Sequence, residues 1–364
     1  MGIETTLIVH ASLVPVFAFL IALLYFKKFG QFEPLVTAAI FTGFVITLDA
    51  GLVAPVFEKS FAMFRSILGT WIPFGLIFFS TLVTGLVSGR RRHRGPSEIA
   101  PGVYWYSTGA IAGNVYFVQS GSSWVLIDTA TAGQAARIRD AAAALFGASR
   151  PAAILLTHVH PDHSGSALEL ARAWHCPVYL HPGEFDLAVS RNLATVAKYA
   201  NALDRWIIMP LLRLFPRRWL ETKLEQQSLK EVARVFEPDA DPPGLSDWTS
   251  ITTPGHSPGH TAFIRQADRV LVSGDALLTV DAGSLRGVLS WISRPNRQRI
   301  CGPPWYTNWD RAMATTSAAT LVRLQPRVLA PGHGLPWSGE AAASLVADAT
   351  GEKKDPAKTP KTED

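Results

Sequence analysis

Two regimes of hydrophobic patterning divide the chain. In the first, three long and nearly uncharged apolar segments occupy about residues 7–26, 35–57 and 67–87, each near the ~20 residues with which a helix crosses a bilayer. In the second, from about residue 96, apolar runs shorten to strand length and alternate with helical and Gly/Pro-rich stretches. Residues 111–119 and 123–128 predict a β-hairpin, 134–146 a helix, and 152–156 a short buried strand. Residues 164–174 have helical composition, with Ser164 placed to cap them. Two further apolar runs, 270–275 and 328–330, read as buried strands. Strands interleaved with helices in this way predict an α/β layered domain.

Composition sharpens the first regime. The chain has 364 residues, a net charge of +5 and a mean hydropathy of +0.16, which is high for a soluble enzyme. A cleavable signal peptide does not fit, because residues 1–6 carry no basic side chain and two further apolar segments follow. A three-helix transmembrane domain with a basic linker is therefore expected over residues 1–95. Lys27 and Lys28 follow the first span and Arg90, Arg91, Arg92 and Arg94 the third, whereas the connection between the second and third holds Lys59 and Arg65 beside Glu58. That bias places the amino terminus outside and the remainder of the chain in the cytoplasm. The linker at 88–96 is expected to lie against anionic headgroups or to act as a topology signal. Asp49 sits inside the second span, where an ionisable group is costly. A three-helix unit has little room for a transport path, so Asp49 reads as a carboxylate packed against a neighbour or hydrated near the outer interface. His10, toward the outer end of the first span, is a candidate neighbour that nothing in the sequence pairs with it.

Candidate chemistry lies in the second regime. Residues 157–165 read T-H-V-H-P-D-H-S-G, and imidazole and carboxylate are the side chains that hold borderline-soft divalent metals near neutral pH. His158 and His160 are spaced to converge on one ion, and Asp162 and His163 point to a second centre. Downstream, His256 lies on the Pro/Gly-rich loop 253–260, Asp275 ends an apolar run, and His333 follows the last one before a glycine. Each lies where a predicted strand gives way to a loop, the position at which an α/β fold places its site. The two cysteines, Cys176 and Cys301, lack metal spacing and read as small buried or semi-buried residues. His175 and His181 have no partner motif and read as structural. No G-x-S-x-G is present, so water is the expected nucleophile.

In these motifs the chain resembles the metallo-β-lactamase superfamily, most closely the branch of hydroxyacylglutathione hydrolases (glyoxalase II) and quorum-quenching lactonases, over roughly residues 96–347. The resemblance implies a four-layer αββα sandwich at 96–348 and two divalent ions, zinc first, with manganese or iron also accepted by such a site. It implies that His158, His160 and His256 hold the first ion, that Asp162, His163 and His333 hold the second, and that Asp275 bridges both. Asp128, ending the strand before it, is implied to orient the ligand loop, and His260 to donate a hydrogen bond behind the ligands or simply to pack. Two ions about 3.5–4 Å apart generate hydroxide at neutral pH and polarise the substrate oxygen. Asp162 and Asp275 are thus the catalytic carboxylates, with Asp162 also oriented toward the nucleophile.

Residues 192–243 depart from a minimal member of that family as a helical insertion. Its centre, residues 206–220, mixes apolar side chains with Arg213, Arg217 and Arg218, either as an amphipathic element at a membrane surface or over the site, or as an ordinary cap. A second aromatic stretch, 301–310, lines the pocket or belongs to the core. The tail at 349–364 is charged and expected to be disordered. The function expected is a membrane-tethered hydrolase of a small ester, thioester or lactone, lipophilic if the 206–220 element meets the bilayer. A phosphodiesterase of the same fold and a non-catalytic metal-binding scaffold are the alternatives. No nucleic-acid partner is expected, and the oligomeric state is left open.

Overall fold

The computed structural model describes residues 3–28, 34–57, 59–88, 95–108, 113–213, 215–284, 287 and 299–339. It divides into two compact units, Met1–His93 and Arg94–Asp364. Most of the basic linker and the whole of the tail expected to be disordered lie outside the described residues.

The first unit holds three helices where the apolar segments predicted them: α1 (Ile3–Lys28), α2 (Pro34–Leu48) and α3 (Ile72–Ser88). Helix α3 packs against both of the others. Wide π-type turns at Asp49–Phe57 and Ile67–Trp71 extend α2 and precede α3. Pro55 within the first of these removes a backbone donor, a recognised cause of such irregularity. Large apolar side chains face outward from every helix, among them Phe17, Leu24, Phe44 and Phe79. Among the described residues one helix, Pro34–Val56, is long and apolar enough to cross a membrane, and α1 and α3 carry shorter apolar stretches, Leu13–Phe26 and Ile72–Gly85. Asp49 stands at the first turn of the π segment.

The second unit is built on two sheets. The first has the order β1 (Ser97–Ala100), β2 (Val103–Ser107), β3 (Asn114–Ser120), β4 (Ser123–Ile127), β5 (Ala153–Leu155), β6 (Val178–Leu180) and β7 (Ala233–Val235). It is antiparallel through β4 and parallel from there on. The second sheet comprises β8 (Thr249–Thr252), β9 (Thr261–Arg265), β10 (Val270–Gly274), β11 (Val328–Pro331) and β12 (Trp337–Ser338), in reverse order, with β10 and β11 parallel. The two-residue period of a strand sorts the side chains between layers. Tyr116 and Val118 of β3 and Val125 and Ile127 of β4 join Phe263, Val270, Val272 and Ala330 in the core between the sheets. Their neighbours Phe117, Trp124 and Leu126 turn outward onto α4 (Ala135–Phe146) and α6 (Ala167–Trp174) through Ile138, Leu170 and Trp174. On the far side, Ile264, Leu271 and Leu329 meet Ala318, Leu321 and Val322 of α11 (Arg311–Arg323). Helices thus cover both outer faces of the sandwich, the αββα layering that the motifs implied.

Two expectations need correction. Ser164 does not cap the helix after the ligand run. The chain makes a separate turn, α5 (Pro161–Ser164), whose Ser164 hydroxyl donates to Val159 O, and α6 begins after Ser166. The stretch 192–243, expected as a helical insertion, is also not helical throughout, because Ala233–Val235 is the parallel edge strand of the first sheet. Its helical part is α8 (Leu193–Lys198), a π turn at Asp204–Ile208, α9 (Met209–Leu212) and α10 (Arg217–Glu225), after α7 (Pro182–Val189).

Candidate metal centre

Parallel pairing decides where the polar residues meet. Strands β4 and β5 run side by side, as do β10 and β11, so the loops leaving their carboxyl ends share one edge of the sandwich. Asp128 follows β4, His158 follows β5, Asp275 follows β10 and His333 follows β11. Backbone bonds stitch these loops together: Thr129 N to His163 O (2.7 Å), Gly332 N to Gly274 O (2.8 Å) and, across the sheets, Thr261 N to Thr157 O (2.9 Å).

Three clusters of possible ligand atoms result, each with its atoms within 4.8 Å of one another: His158, His160 and His256; His158, His163 and Asp275; and Asp162, His163 and His333. Every residue predicted as a ligand is in one of them. His160 Nδ1 stands 2.9 Å from His256 Nε2, and His163 Nε2 stands 3.3 Å from His333 Nε2. Asp275 reaches between the outer clusters, with Oδ2 3.4 Å from His256 Nε2 and 3.5 Å from His333 Nε2, and Oδ1 3.3 Å from His163 Nε2. Asp162 Oδ2 lies 3.0 Å from His333 Nε2 on the more open side.

Neighbouring groups fix which nitrogen each imidazole presents. Asp128, buried at the end of β4, accepts from Thr157 N and from Thr157 Oγ1, both at 2.8 Å. Because the Thr157 hydroxyl proton is committed to Asp128, its oxygen accepts from His158 Nδ1 at 3.0 Å. His158 Nε2 is left buried and without a hydrogen-bond partner among the described residues. Asp128 Oδ2 likewise takes the Nδ1 proton of His163 at 2.8 Å, turning Nε2 toward the cluster. His260 Nε2 accepts from Asp275 N at 2.9 Å, so its Nδ1 donates to Thr253 Oγ1 at 2.7 Å. His260 thus both accepts and donates, and holds Asp275 by its backbone. These tautomers follow from the hydrogen-bond network.

Electrostatics divide the imidazoles into two groups. Burial, reinforced by the surrounding imidazoles, holds His158 well below its ordinary pKa, and burial with His160 lowers His256 to about 3. Burial also opposes charge on His163, but Asp275, Asp162 and Asp128 together outweigh it and raise its pKa. In Asp275 burial would raise the pKa, and His333 and His163 reverse the sign. Buried polar atoms are nearly always paired. His158 Nε2 and Asp275 Oδ1 are both buried without a hydrogen bond among the described residues, inside clusters of three donors. That combination fits cations. Gly332 fits the same cage, since a Cβ there would run into the Asp275 carboxylate.

Several supporting residues were not singled out from the sequence. Glu184, 1 % exposed in α7, accepts from Val159 N (3.0 Å) and Gly259 N (2.8 Å), joining the loop of His158 and His160 to that of His256 and His260. Arg191 donates to Val159 O at 3.0 Å and to Ser164 Oγ. Asn308, from the 301–310 stretch, stands with Oδ1 3.4 Å from His256 Nδ1. The only sequence signal for Glu184 was Pro182 opening a helix, which does not reveal what its carboxylate will touch. His181 accepts from Gly183 N as the cap of α7, and His175 closes α6 in a left-handed conformation, both structural as expected. Cys176 and Cys301 are free thiols, buried and half-buried respectively.

The family model of the metallo-beta-lactamase superfamily matches residues 108–333. The chain is 36 % identical over 231 residues to a probable metallo-hydrolase of Bacillus subtilis, YflN, covering 62 % of this chain and 82 % of that one. It is 31 % identical over 134 residues to a hydroxyacylglutathione hydrolase of Bdellovibrio bacteriovorus, covering 37 % of this chain and 38 % of that one. It is 26 % identical over 194 residues to the acyl-coenzyme A thioesterase MBLAC2 of Bos taurus, covering 50 % of this chain and 65 % of that one. With this fold and this convergence of ligands, the chain belongs to the metallo-beta-lactamase superfamily and is a metallo-hydrolase.

Proposed function

We propose that the protein is a membrane-tethered, dinuclear metal-dependent hydrolase of an ester, thioester or lactone. The observation that carries this reading is His158 Nε2, buried with no hydrogen-bond partner among the described residues, beside Asp275 Oδ1, which also lacks a hydrogen bond there and meets His163 Nε2 at 3.3 Å, where three clusters of possible ligands meet. His158, His160 and His256 would hold one ion, Asp162, His163 and His333 the other, with Asp275 between them. Bound divalent ions supply Lewis acidity, making hydroxide available at neutral pH and stabilising charge on a carbonyl oxygen.

The chain's own groups do the rest. Asp128 and Thr157 keep His158 and His163 in the tautomers that present Nε2. His260 secures the Asp275 backbone. Asp162, whose carboxylate is held ionised by His163 and His333 against the opposing effect of burial, can accept a hydrogen bond from an attacking water through its other oxygen and so orient it. The ester, thioester or lactone class is supported by the names of two relatives, a hydroxyacylglutathione hydrolase and an acyl-coenzyme A thioesterase.

The three helices of the first unit would anchor this domain, with the amino terminus outside and the hydrolase in the cytoplasm. A reporter fused after Arg94 tests the topology: activity only in its cytosol-dependent form is expected, and exported activity overturns the orientation. Elemental analysis of the purified full chain, followed by turnover of p-nitrophenyl esters, thioesters, lactones and bis-phosphodiesters, tests the chemistry. His158→Ala is expected to abolish turnover and lower metal content. Turnover confined to phosphodiesters would replace the substrate class, and wild-type turnover in His158→Ala would refute the site.

A further inference from the structure

The added helices expose an apolar surface for which the hydrolytic site has no use. Trp206 is 80 % exposed, and Ile207, Leu211, Phe215 and Trp219 are each about half exposed. The latter recur every four residues, and Phe215 stacks on Trp219 at 5.6 Å between ring centroids. Isolated exposed apolar residues are ordinary, but their concentration in one short stretch, with two of the rings in contact, marks an interaction surface. The set is interleaved with the exposed cations Arg205, Arg213 and Arg218, which form no ion pair among the described residues. Of the nearby acids, Asp204 accepts from Asn201 N at 3.2 Å and Glu221 is paired with Arg217 at 2.8 Å, so the arginines outnumber the acids on this face.

We propose that this face docks on an anionic lipid surface. Exposed indole rings beside guanidinium groups match the chemistry of the headgroup region, where the rings enter the acyl boundary and arginines meet phosphate. A second copy of the chain is a poorer occupant. A two-fold contact would place the same arginines against one another.

The surface is also rooted at the rim of the metal centre. Asn201 Nδ2 donates to Thr307 O at 3.2 Å, Trp309 N donates to His256 O at 3.1 Å, and Asn308 faces the His256 ring. Docking therefore brings the mouth of the site to the bilayer and selects a lipophilic acyl substrate held there. This second part rests on the ester-hydrolase reading above, whereas the docking itself does not.

The test uses the full chain in vesicles of phosphatidylcholine, with or without phosphatidylglycerol. Burial pushes Cys176 up to about 11 and Cys301 to about 12, so a single exposed thiol from Leu211→Cys can be labelled with a nitrobenzoxadiazole maleimide near neutral pH. Probe emission is expected to rise at least about twofold when the anionic lipid is present, to fall back at high salt, and to stay low in R205E/R213E/R218E. Equal emission in the two vesicles overturns the docking. Emission that rises with protein concentration in lipid-free detergent assigns the face to self-association and overturns it too. The activity arm compares a long-chain ester embedded in the vesicle with soluble p-nitrophenyl acetate. The ratio of the two rates is expected to fall about tenfold in the triple variant, and an unchanged ratio overturns the delivery of substrate. Absence of turnover on either ester in the wild type, with the lipid-dependent emission intact, overturns the ester reading and leaves the docking standing.

Discussion

The Asp128 carboxylate stands 2.8 Å from His163 Nδ1 while its other contacts hold Thr157. One buried side chain therefore sets the tautomer of His163 directly and that of His158 through the Thr157 hydroxyl. Its backbone adopts φ +61°, a left-handed conformation that aspartate tolerates better than most residues. Asp128→Asn should leave one of the three donors facing an amide N–H. We expect a stability loss of about 1–3 kcal/mol, and second-ion affinity lower by about 10–100-fold. Thermal unfolding and a chelator-competition titration check both.

Glu184 braces the two loops that carry His158, His160 and His256, taking a backbone N–H from each. Glutamine offers a single oxygen, so Glu184→Gln leaves either Val159 N or Gly259 N unpaired in a buried site. Metal affinity of the three-histidine cluster should fall about 10–100-fold, with less effect on the cluster of Asp162, His163 and His333. Isothermal titration, resolving the two binding events, reads the difference.

Two ions per chain are expected by elemental analysis. His256→Ala and His333→Ala belong to different outer clusters, so each should bring the content toward one equivalent. A loss of both ions in each variant would mean that the clusters do not fill independently.

Stability of the chelated protein should depend on pH in both directions. His256 has a folded pKa of about 3 against an ordinary 6.5, so between those values the unfolded chain binds the extra proton and stability falls as pH drops. Asp162 and Asp275, both held low, act in the same direction at more acid pH. His163 and His333 are raised, so their contribution is complete below 6.5 and is lost as pH climbs through their folded values. Thermal midpoints should therefore peak near neutrality, and added metal should flatten the alkaline limb by replacing the protons on His163 and His333.

Much of the site was legible in the chain because its ligands are local to strand ends. His158, His160, Asp162 and His163 lie within six residues, and Asp275 and His333 each follow closely on a short apolar run. Helix boundaries were less legible. Ser164 looked like a cap, but its hydroxyl is spent on Val159 O, a choice that depends on a turn closed by tertiary contacts. Residues 233–235 looked like insertion because a three-residue edge strand has too little period to register.

The sequence by itself determined the layered α/β class, the apolar segments at the front and the candidate ligands, since those depend on local periodicity and residue chemistry. Only the tertiary structure decided that Glu184 ties two distant loops, that Asp128 governs two imidazoles at once, and that Trp206 and its neighbours stand exposed. Those relationships join residues far apart in the chain, and no local pattern carries them. The packing of the two sheets creates the first two, by bringing separate loops to one edge of the sandwich.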